Sequence, residues 1–382
     1  MELSAASFSY PQHDGPTRAA IARRLLDSPG PDEGFVLSTC LRVEVAVSGP
    51  VSRLESLLAS LFGELPARPQ LWTGEEAVKH LYRIAAGLES PILGEQEILT
   101  QFRQSLIGAE NAGQVDGLFA RLLEGAVAVG RQARELLPGS PHNSMAAVAA
   151  QVVGTAESVA VLGSGIMATA VLDGLALLPA PPRVTVVARH PEKVAERPGV
   201  EVLAFDHAPR VIAEYPAVIS ATSAKRRLVD DAELSAAVRD REFPLLLVDM
   251  AMPPDFRPTV GDLITYVAID DLARMADRRP RSNEADVLVE TTAAEAYRTF
   301  RDHHEVGPLI GGLMAGADDI VESTVRRFSG RLHHTSDEAL LRQSAHTVAR
   351  TLLAGPVSYL KTADRAPEAI DVIAEAFGVE DV

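Results

Sequence analysis

Cys40 is the only cysteine among 382 residues, and it lies in the run Ser38-Thr39-Cys40-Leu41-Arg42-Val43-Glu44. A lone cysteine is most often a small buried apolar residue. Here a guanidinium two positions away favours a thiolate or binds an anionic substrate group, and the Ser and Thr hydroxyls supply hydrogen bonds. Sulfur then needs only modest activation to attack an acyl carbon. A single cysteine excludes an internal disulfide and a multi-cysteine zinc site, so no metal is expected and the thiol is free, as in a reducing compartment. A second polar constellation holds His80-Leu81, Gly87-Leu88-Glu89-Ser90 and Gly94-Glu95-Gln96-Glu97. Alone, His80 reads better as an ordinary half-buried helix histidine, and the cluster after Gly94 reads equally as a helix start.

A third group of residues suits a nucleotide. The apolar run Val159 to Leu162 leads into Gly163-Ser164-Gly165-Ile166-Met167-Ala168, a helical pattern to Leu178 and a second strand from Val184 to Ala188. Tight strand-to-helix turns use glycine without any ligand. Between a strand and a helix, however, a G-x-G-x-x-A turn aims free N–H groups at a pyrophosphate, and the alanine serves helix–strand packing. The second strand ends in Ala188-Arg189-His190, with no carboxylate for ribose hydroxyls and a guanidinium for a 2′-phosphate, which favours NADPH. The plainer reading of Arg189 is a solvated charge.

These groups need elements to hold them. Strand signals at Glu2 to Phe8, and at Gly34 to Thr39 continuing after Cys40 through Val43 to Val47, alternate with helical patterns from Thr17 to Leu26 and Ser52 to Phe62. Thr73 and Glu76 have capping-box spacing ahead of a helix carrying Ala77, Leu81, Ile84, Ala85 and Leu88. Leu137 to Pro141 reads as a linker. Ser144 to Leu162 reads as a helix running into a buried strand, not a membrane span. Ala217 to Ala221, Leu245 to Val248 and Ile264 to Val267 supply further strands of a doubly wound sheet. After Arg279 and Pro280, Asn283 and Asp286 are candidate caps of a long helix, and helical periods follow from Leu309 to Phe328 and Asp337 to Leu353. Their apolar faces call for burial against another subunit or domain.

Hydrophobic residues make up 47% and charged residues 23% of the chain, and the formal charge is -16. That is a globular composition, with no leader pattern at the N-terminus, and it implies a cytoplasmic protein without membrane association. The acidity argues against a general nucleic-acid binder. Arg121, Arg131 and Arg134, with Arg326, Arg327 and Arg331, are candidates for local phosphate contacts, or are simply solvated helix charges.

Taken together, the motifs resemble the glutamyl-tRNA reductase family over nearly the whole chain. The resemblance rests on Ser38 to Glu44, His80 to Glu95, the nucleotide turn, Val248-Asp249-Met250-Ala251-Met252-Pro253, Ile269-Asp270-Asp271-Leu272 and the helical tail. It implies an α/β and α architecture: an N-terminal α/β catalytic, aminoacyl-tRNA-binding domain over 1–140, a Rossmann-type NADPH domain over 141–280 and a helical dimerisation domain over 281–382 with a long spinal helix. It further implies a homodimer and a downstream enzyme that uses the aldehyde. In the implied chemistry Cys40 attacks the ester of an aminoacyl-tRNA, and hydride from NADPH reduces the resulting thioester to an amino aldehyde for tetrapyrrole synthesis. His80 takes a polar or acid–base role beside the thiol. Ser38, Thr39, Arg42, Glu44, Ser90 and Glu95 take the aminoacyl side, Arg42 pairing with the glutamate carboxylate. Gly163, Ser164, Gly165, Ile166, Met167 and Arg189 take the cofactor.

The chain departs from the family pattern in four places. Phe8-Ser9-Tyr10-Pro11-Gln12-His13-Asp14 replaces an Asn-His-Lys-like stretch, Leu41 replaces Asn, Val43 replaces Thr, and Pro254 replaces a basic residue. Apolar replacements beside the nucleophile point to a changed amino acid. Two alternatives therefore stand: a specialised paralogue that reduces a small aminoacyl-tRNA such as glycyl-tRNA, and a non-catalytic homologue that binds NADPH.

Overall fold

The computed structural model describes residues 2–27, 34–115, 117–137, 144–222, 224, 228–239, 241–256, 263–276, 282–329, 331, 335–361 and 368–379. Chain contacts divide it into two units, Glu2–Ala296 and, apart from Met1, Tyr297–Val382.

The first unit opens with β1 (Leu3–Ser9), α1 (Gly15–Asp27), β2 (Gly34–Ser38), β3 (Arg42–Ser48), α2 (Val51–Phe62) and β4 (Gln70–Thr73). They form an antiparallel sheet of order β2-β3-β1-β4. The signal continuing through Cys40 is therefore a hairpin, with Cys40 at its turn. Strand alternation gives the sheet two unlike faces. Val43, Val45 and Val47 point to one side and pack with Ile21, Leu25, Leu54 and Leu58 of α1 and α2. Arg42 and Glu44 point to the other, beside their register partners Ser9 and Ser7.

Against that polar face lie α3 (Gly74–Ala86), α4 (Gln96–Asn111) and α5 (Gly117–Leu136). Thr73 is the N-cap of α3, but its side chain makes no capping bond, so the expected box does not form. Small residues bring α3 and α5 close: a Cβ added at Gly130 would sit 2.6 Å from the Ala85 carbonyl oxygen. Leu137 is buried, and Pro138 to Pro141 of the expected linker lie outside the described residues.

The nucleotide-type half of this unit runs α6 (Met145–Val152), β5 (Ser158–Leu162), α7 (Ile166–Ala176), β6 (Arg183–Ala188), β7 (Val200–Ala204), α8 (Ala208–Glu214), β8 (Ala217–Ser220), α9 (Asp231–Val238), β9 (Leu245–Asp249), β10 (Ile264–Ala268) and α10 (Ile269–Met275). Its six strands are parallel in the order β10-β9-β8-β5-β6-β7. That is a doubly wound Rossmann-type sheet whose order reverses between β5 and β8, where a ligand crevice forms. The loop after β9 is tied by Asp249, whose carboxylate accepts from the N–H of Ala251 and Phe256 (3.0 Å each) and from Tyr266 Oη (3.1 Å).

A long helix, α11 (Asn283–Ser329), starts in this unit, and Arg279 and Pro280 before it lie outside the described residues. Ser282, rather than Asn283 or Asp286, occupies the cap: its Oγ accepts from Ala285 N–H (3.4 Å). Asp286 instead accepts from Arg83 of α3 at 2.8 Å.

In the second unit the later part of α11 packs with α12 (Thr335–Leu360) and α13 (Ala369–Phe377) around Val306, Leu309, Leu313, Leu353 and Leu360. Ile320 and Leu352 remain 68% and 72% exposed, an apolar face that still lacks a cover. Among the described residues no helix is long and apolar enough to cross a membrane.

Overpacking the α3–α5 contact is the sharpest local test. Gly130→Val should cost about 1–3 kcal/mol, whereas Thr73→Ala, which removes no capping bond, should stay within about 0.5 kcal/mol; urea unfolding measures both.

Candidate active site

The hairpin turn holding Cys40 is closed by backbone and hydroxyl together. Thr39 N–H donates to the Arg42 carbonyl (2.9 Å), and Leu41 N–H donates to Thr39 Oγ1 (3.3 Å). Arg18, fully buried on α1, anchors the turn from outside: it donates to the carbonyls of Cys40 (3.0 Å) and His13 (2.5 Å) and pairs with Asp270 of α10 at 2.5 Å. Cys40 itself is half-buried and packs, with Leu41 and Tyr10, on the core of the Rossmann-type half. Burial first, then the charge of Glu95, pushes its thiol up to about 12, with Arg18 pulling the other way and Glu97 pushing up again. Arg18, not Arg42, is thus the cation that favours the thiolate.

Beside the turn lies a polar pocket of about 430 Å³, lined by Ser9, Gln12, Arg42, Trp72, His80 and Ser90 among others. His80 stacks on Trp72, the chain's single tryptophan, with ring centroids 3.7 Å apart and planes 11° from parallel. Facing a carboxylate, its Nε2–H donates to Glu44 Oε2 (3.0 Å). Glu44 has no exposed surface, and its Oε1 accepts from Ser7 Oγ (2.8 Å) and Arg42 (3.4 Å). Arg42 also donates to the Glu89 carbonyl at 2.5 Å. Glu89 is itself held low: burial opposes ionisation, but the hydrogen bond and charge of Arg83 outweigh it.

Of the residues expected on the aminoacyl side, Arg42 and Ser90 line the pocket with His80. Glu44 lies behind His80, and Thr39 is buried in the turn. Ser38, register partner of Val43, belongs to the opposite face of the hairpin. Glu95 is buried at the N-cap of α4, and Ser90 hydrogen-bonds its carboxyl. Leu41 and Val43, expected to alter the substrate pocket, are core residues instead: Leu41 packs on the Rossmann-type half and Val43 on α1 and α2. Only Ser9 to Gln12, among the departures around the nucleophile, line the pocket, while Pro254 lies in a separate cavity with Asp249 and Tyr266. Arg134, a candidate phosphate contact, donates to the Glu95 carbonyl at 2.7 Å. Trp72 and Arg18 escaped the sequence reading, though a lone tryptophan just before a helix start was a usable signal.

A second pocket, about 300 Å³, lies over the carboxyl ends of β5, β6 and β8 and is lined by Gly163, Ser164, Gly165, Arg189, His190 and Thr222 among others. Gly163 has φ +120°, and an added Cβ would meet the Ala221 carbonyl oxygen at 2.6 Å, so a side chain is excluded there. Beyond Gly165 there is open space, and the N-terminus of α7 begins at Ile166. Exposed Arg189 joins the pocket. Ile166 and Met167 offer backbone N–H groups, while the Met167 side chain packs into the core. This donor set fits a dinucleotide.

Fold and pockets define a Rossmann-type nucleotide-binding protein with its cysteine packed against the nucleotide half. Three family models match in succession: Glutamyl-tRNAGlu reductase, N-terminal domain, over residues 7–136; Shikimate / quinate 5-dehydrogenase over 147–275; and Glutamyl-tRNAGlu reductase, dimerisation domain, over 284–379. A glutamyl-tRNA reductase of Thermus thermophilus is 34% identical over 302 residues, 75% of this chain and 76% of that protein. One of Rubrobacter xylanophilus is 31% identical over 378 residues, 91% of this chain and 87% of that protein. The solved glutamyl-tRNA reductase from Methanopyrus kandleri is 24% identical across 99% of both chains, with a TM-score of 0.46. The chain belongs to the glutamyl-tRNA reductase family, a family of oxidoreductases.

Burial and the charge of Glu97 push Glu95 from 4.5 up to about 8. Across that window the folded chain keeps a proton that the unfolded chain has released, so this group's contribution to stability declines as pH rises. Unfolding measured from pH 5 to 8 should show a falling stability whose slope flattens in Glu95→Gln.

Proposed function

We propose that the chain reduces an aminoacyl-tRNA to an amino aldehyde through a thioester on Cys40, with glutamyl-tRNA as substrate and tetrapyrrole synthesis as the pathway served. The observation that carries this reading is the position of Cys40, in a turn beside a polar pocket and packed directly on the core of the nucleotide half. Arg42 reaches the pocket as the cation for a substrate carboxylate, a pairing that suits a guanidinium. Ser90 and Gln12 supply hydrogen-bonding groups around it. His80, held by Glu44 and stacked on Trp72, forms a fixed polar wall.

The Gly163–Gly165 turn and the first N–H groups of α7 would hold a pyrophosphate, and Arg189 a 2′-phosphate. NADPH bound there supplies the hydride that turns the thioester into the aldehyde. The exposed apolar face around Ile320 and Leu352, within the region matched by the dimerisation-domain model, supports a homodimer. A cytoplasmic setting and transfer of the aldehyde to a downstream enzyme belong to the same proposal. The domain boundaries proposed with it are 1–140, 141–280 and 281–382.

A smaller amino acid such as glycine loses its main support, because Leu41 and Val43 pack in cores and do not narrow the pocket. The altered Ser9–Gln12 segment is what still speaks for it. A panel of charged tRNAs assayed with NADPH, with the aldehyde trapped and identified by mass, decides between them. Glutamyl-tRNA should be the one reduced; exclusive reduction of glycyl-tRNA would replace it.

Cys40→Ser should abolish NADPH oxidation while leaving NADPH binding unchanged, and full turnover in that variant would end the thioester mechanism. In a separate binding assay, Arg189→Ala should weaken NADPH far more than NADH; equal losses would remove the role given to the 2′-phosphate.

A further inference from the structure

Behind one wall of the nucleotide pocket stands a buried acid that the reaction above does not use. Asp255, in the loop after β9, has no exposed surface. Its Oδ2 accepts from two hydroxyls, Ser220 Oγ at 2.5 Å and Thr222 Oγ1 at 2.8 Å. Its Oδ1 is buried with no partner among the described residues. A buried carboxylate is costly unless hydrogen-bonded, and here both bonds come from the chain leaving β8. Burial raises this carboxyl, against the pull of the two hydroxyls and of Arg189.

The loop fixes the carboxylate from the other side. Asp249, at the end of β9, accepts from the N–H of Phe256, the residue after Asp255. Met250 N–H donates to the Ser220 carbonyl (2.8 Å), which ties the same loop to β8. Thr222 carries this arrangement to the pocket, for it is half-buried and lines it. A hydroxyl has one proton and two lone pairs. The Thr222 proton is spent on Asp255, and one lone pair accepts from Ala224 N–H (3.2 Å). A single lone pair remains, so Thr222 can accept from a ligand but cannot donate to it. The Gly163–Gly165 turn and the start of α7 offer N–H donors, which suit phosphate; Thr222 suits the opposite chemistry, a ligand hydroxyl.

Sheet order decides which hydroxyl. Arg189 follows β6 on one side of β5, and Thr222 follows β8 on the other. A dinucleotide lies across this switch point, so with its 2′-phosphate at Arg189 the far ribose falls on the β8 side. Resting on the NADPH reading above, we propose that Asp255 is a positioning residue for the cofactor, holding Thr222 as an obligate acceptor for a hydroxyl of the nicotinamide ribose.

Calorimetric binding of two ligands to the full chain tests this: NADPH, and 2′,5′-ADP, which keeps the phosphorylated adenosine ribose but lacks the nicotinamide ribose. Thr222→Val should weaken NADPH about 5-fold and leave 2′,5′-ADP unchanged, and Thr222→Ser should retain both affinities. Asp255→Ala should show the same selective loss, and the double variant should bind NADPH no more weakly than Thr222→Val alone, because both changes act on one hydrogen bond. Thr222→Val keeps the side-chain shape, so it reports even where Asp255→Ala fails to fold. Unchanged NADPH affinity in Thr222→Val, or equal losses for the two ligands, overturns the proposal. A wild-type chain that binds neither ligand would overturn the NADPH reading itself, and the proposal with it.

Discussion

A single buried guanidinium ties the Cys40 turn to the nucleotide half. Arg18 has no exposed surface, and its two terminal nitrogens donate to the carbonyls of His13 and Cys40 and to the Asp270 carboxylate, while its buried Nε has no partner among the described residues. The Gly15 N–H adds a second bond to Asp270 at 3.0 Å. A buried cation stripped of its carboxylate costs several kcal/mol, so the start of α1, the Cys40 turn and α10 are held as one piece. The same charge is the one that draws the thiol toward ionisation. Arg18 therefore both places the sulfur and partly offsets the burial and carboxylate charge that raise its thiol.

The β3 hairpin turns that placement into a pocket. Its alternation sends Val43 and Val45 into the core with α1 and α2, and sends Arg42 and Glu44 toward α3. An apolar residue next to the cysteine in sequence is thereby kept away from the substrate side, and a polar residue one step further is forced onto it. Differences from the family pattern at Leu41 and Val43 change packing, whereas those from Ser9 to Gln12 reach the polar pocket.

Much of this was legible in the amino-acid order. The parallel sheet and its glycine turn followed from apolar runs and spacing, because each buried strand is a local signal. Cys40 and Arg42 stood out by type and spacing, and His80 and Ser90 through the family resemblance. What escaped depended on distant partners. Arg18 reads as a surface charge of an amphipathic helix until Asp270, 252 positions later, reaches it. β4 is a short and mostly exposed edge strand, so its burial pattern gave no strand signal and only the lone tryptophan itself hinted that Trp72 would cover His80. β7 is half-exposed at the sheet edge and was missed for the same reason. Asp286 and Thr73 looked like caps because spacing alone cannot show whether a side chain already has another partner, as Asp286 has in Arg83.

The proposed reaction turns on the sulfur of Cys40 as the atom that receives the acyl group. The most direct measurement is the intact mass of the full chain after incubation with glutamyl-tRNA in the absence of NADPH, followed by peptide mapping. The account predicts one glutamyl adduct, located on Cys40 and released by hydroxylamine. An unmodified chain, or an adduct on any other residue, would contradict it.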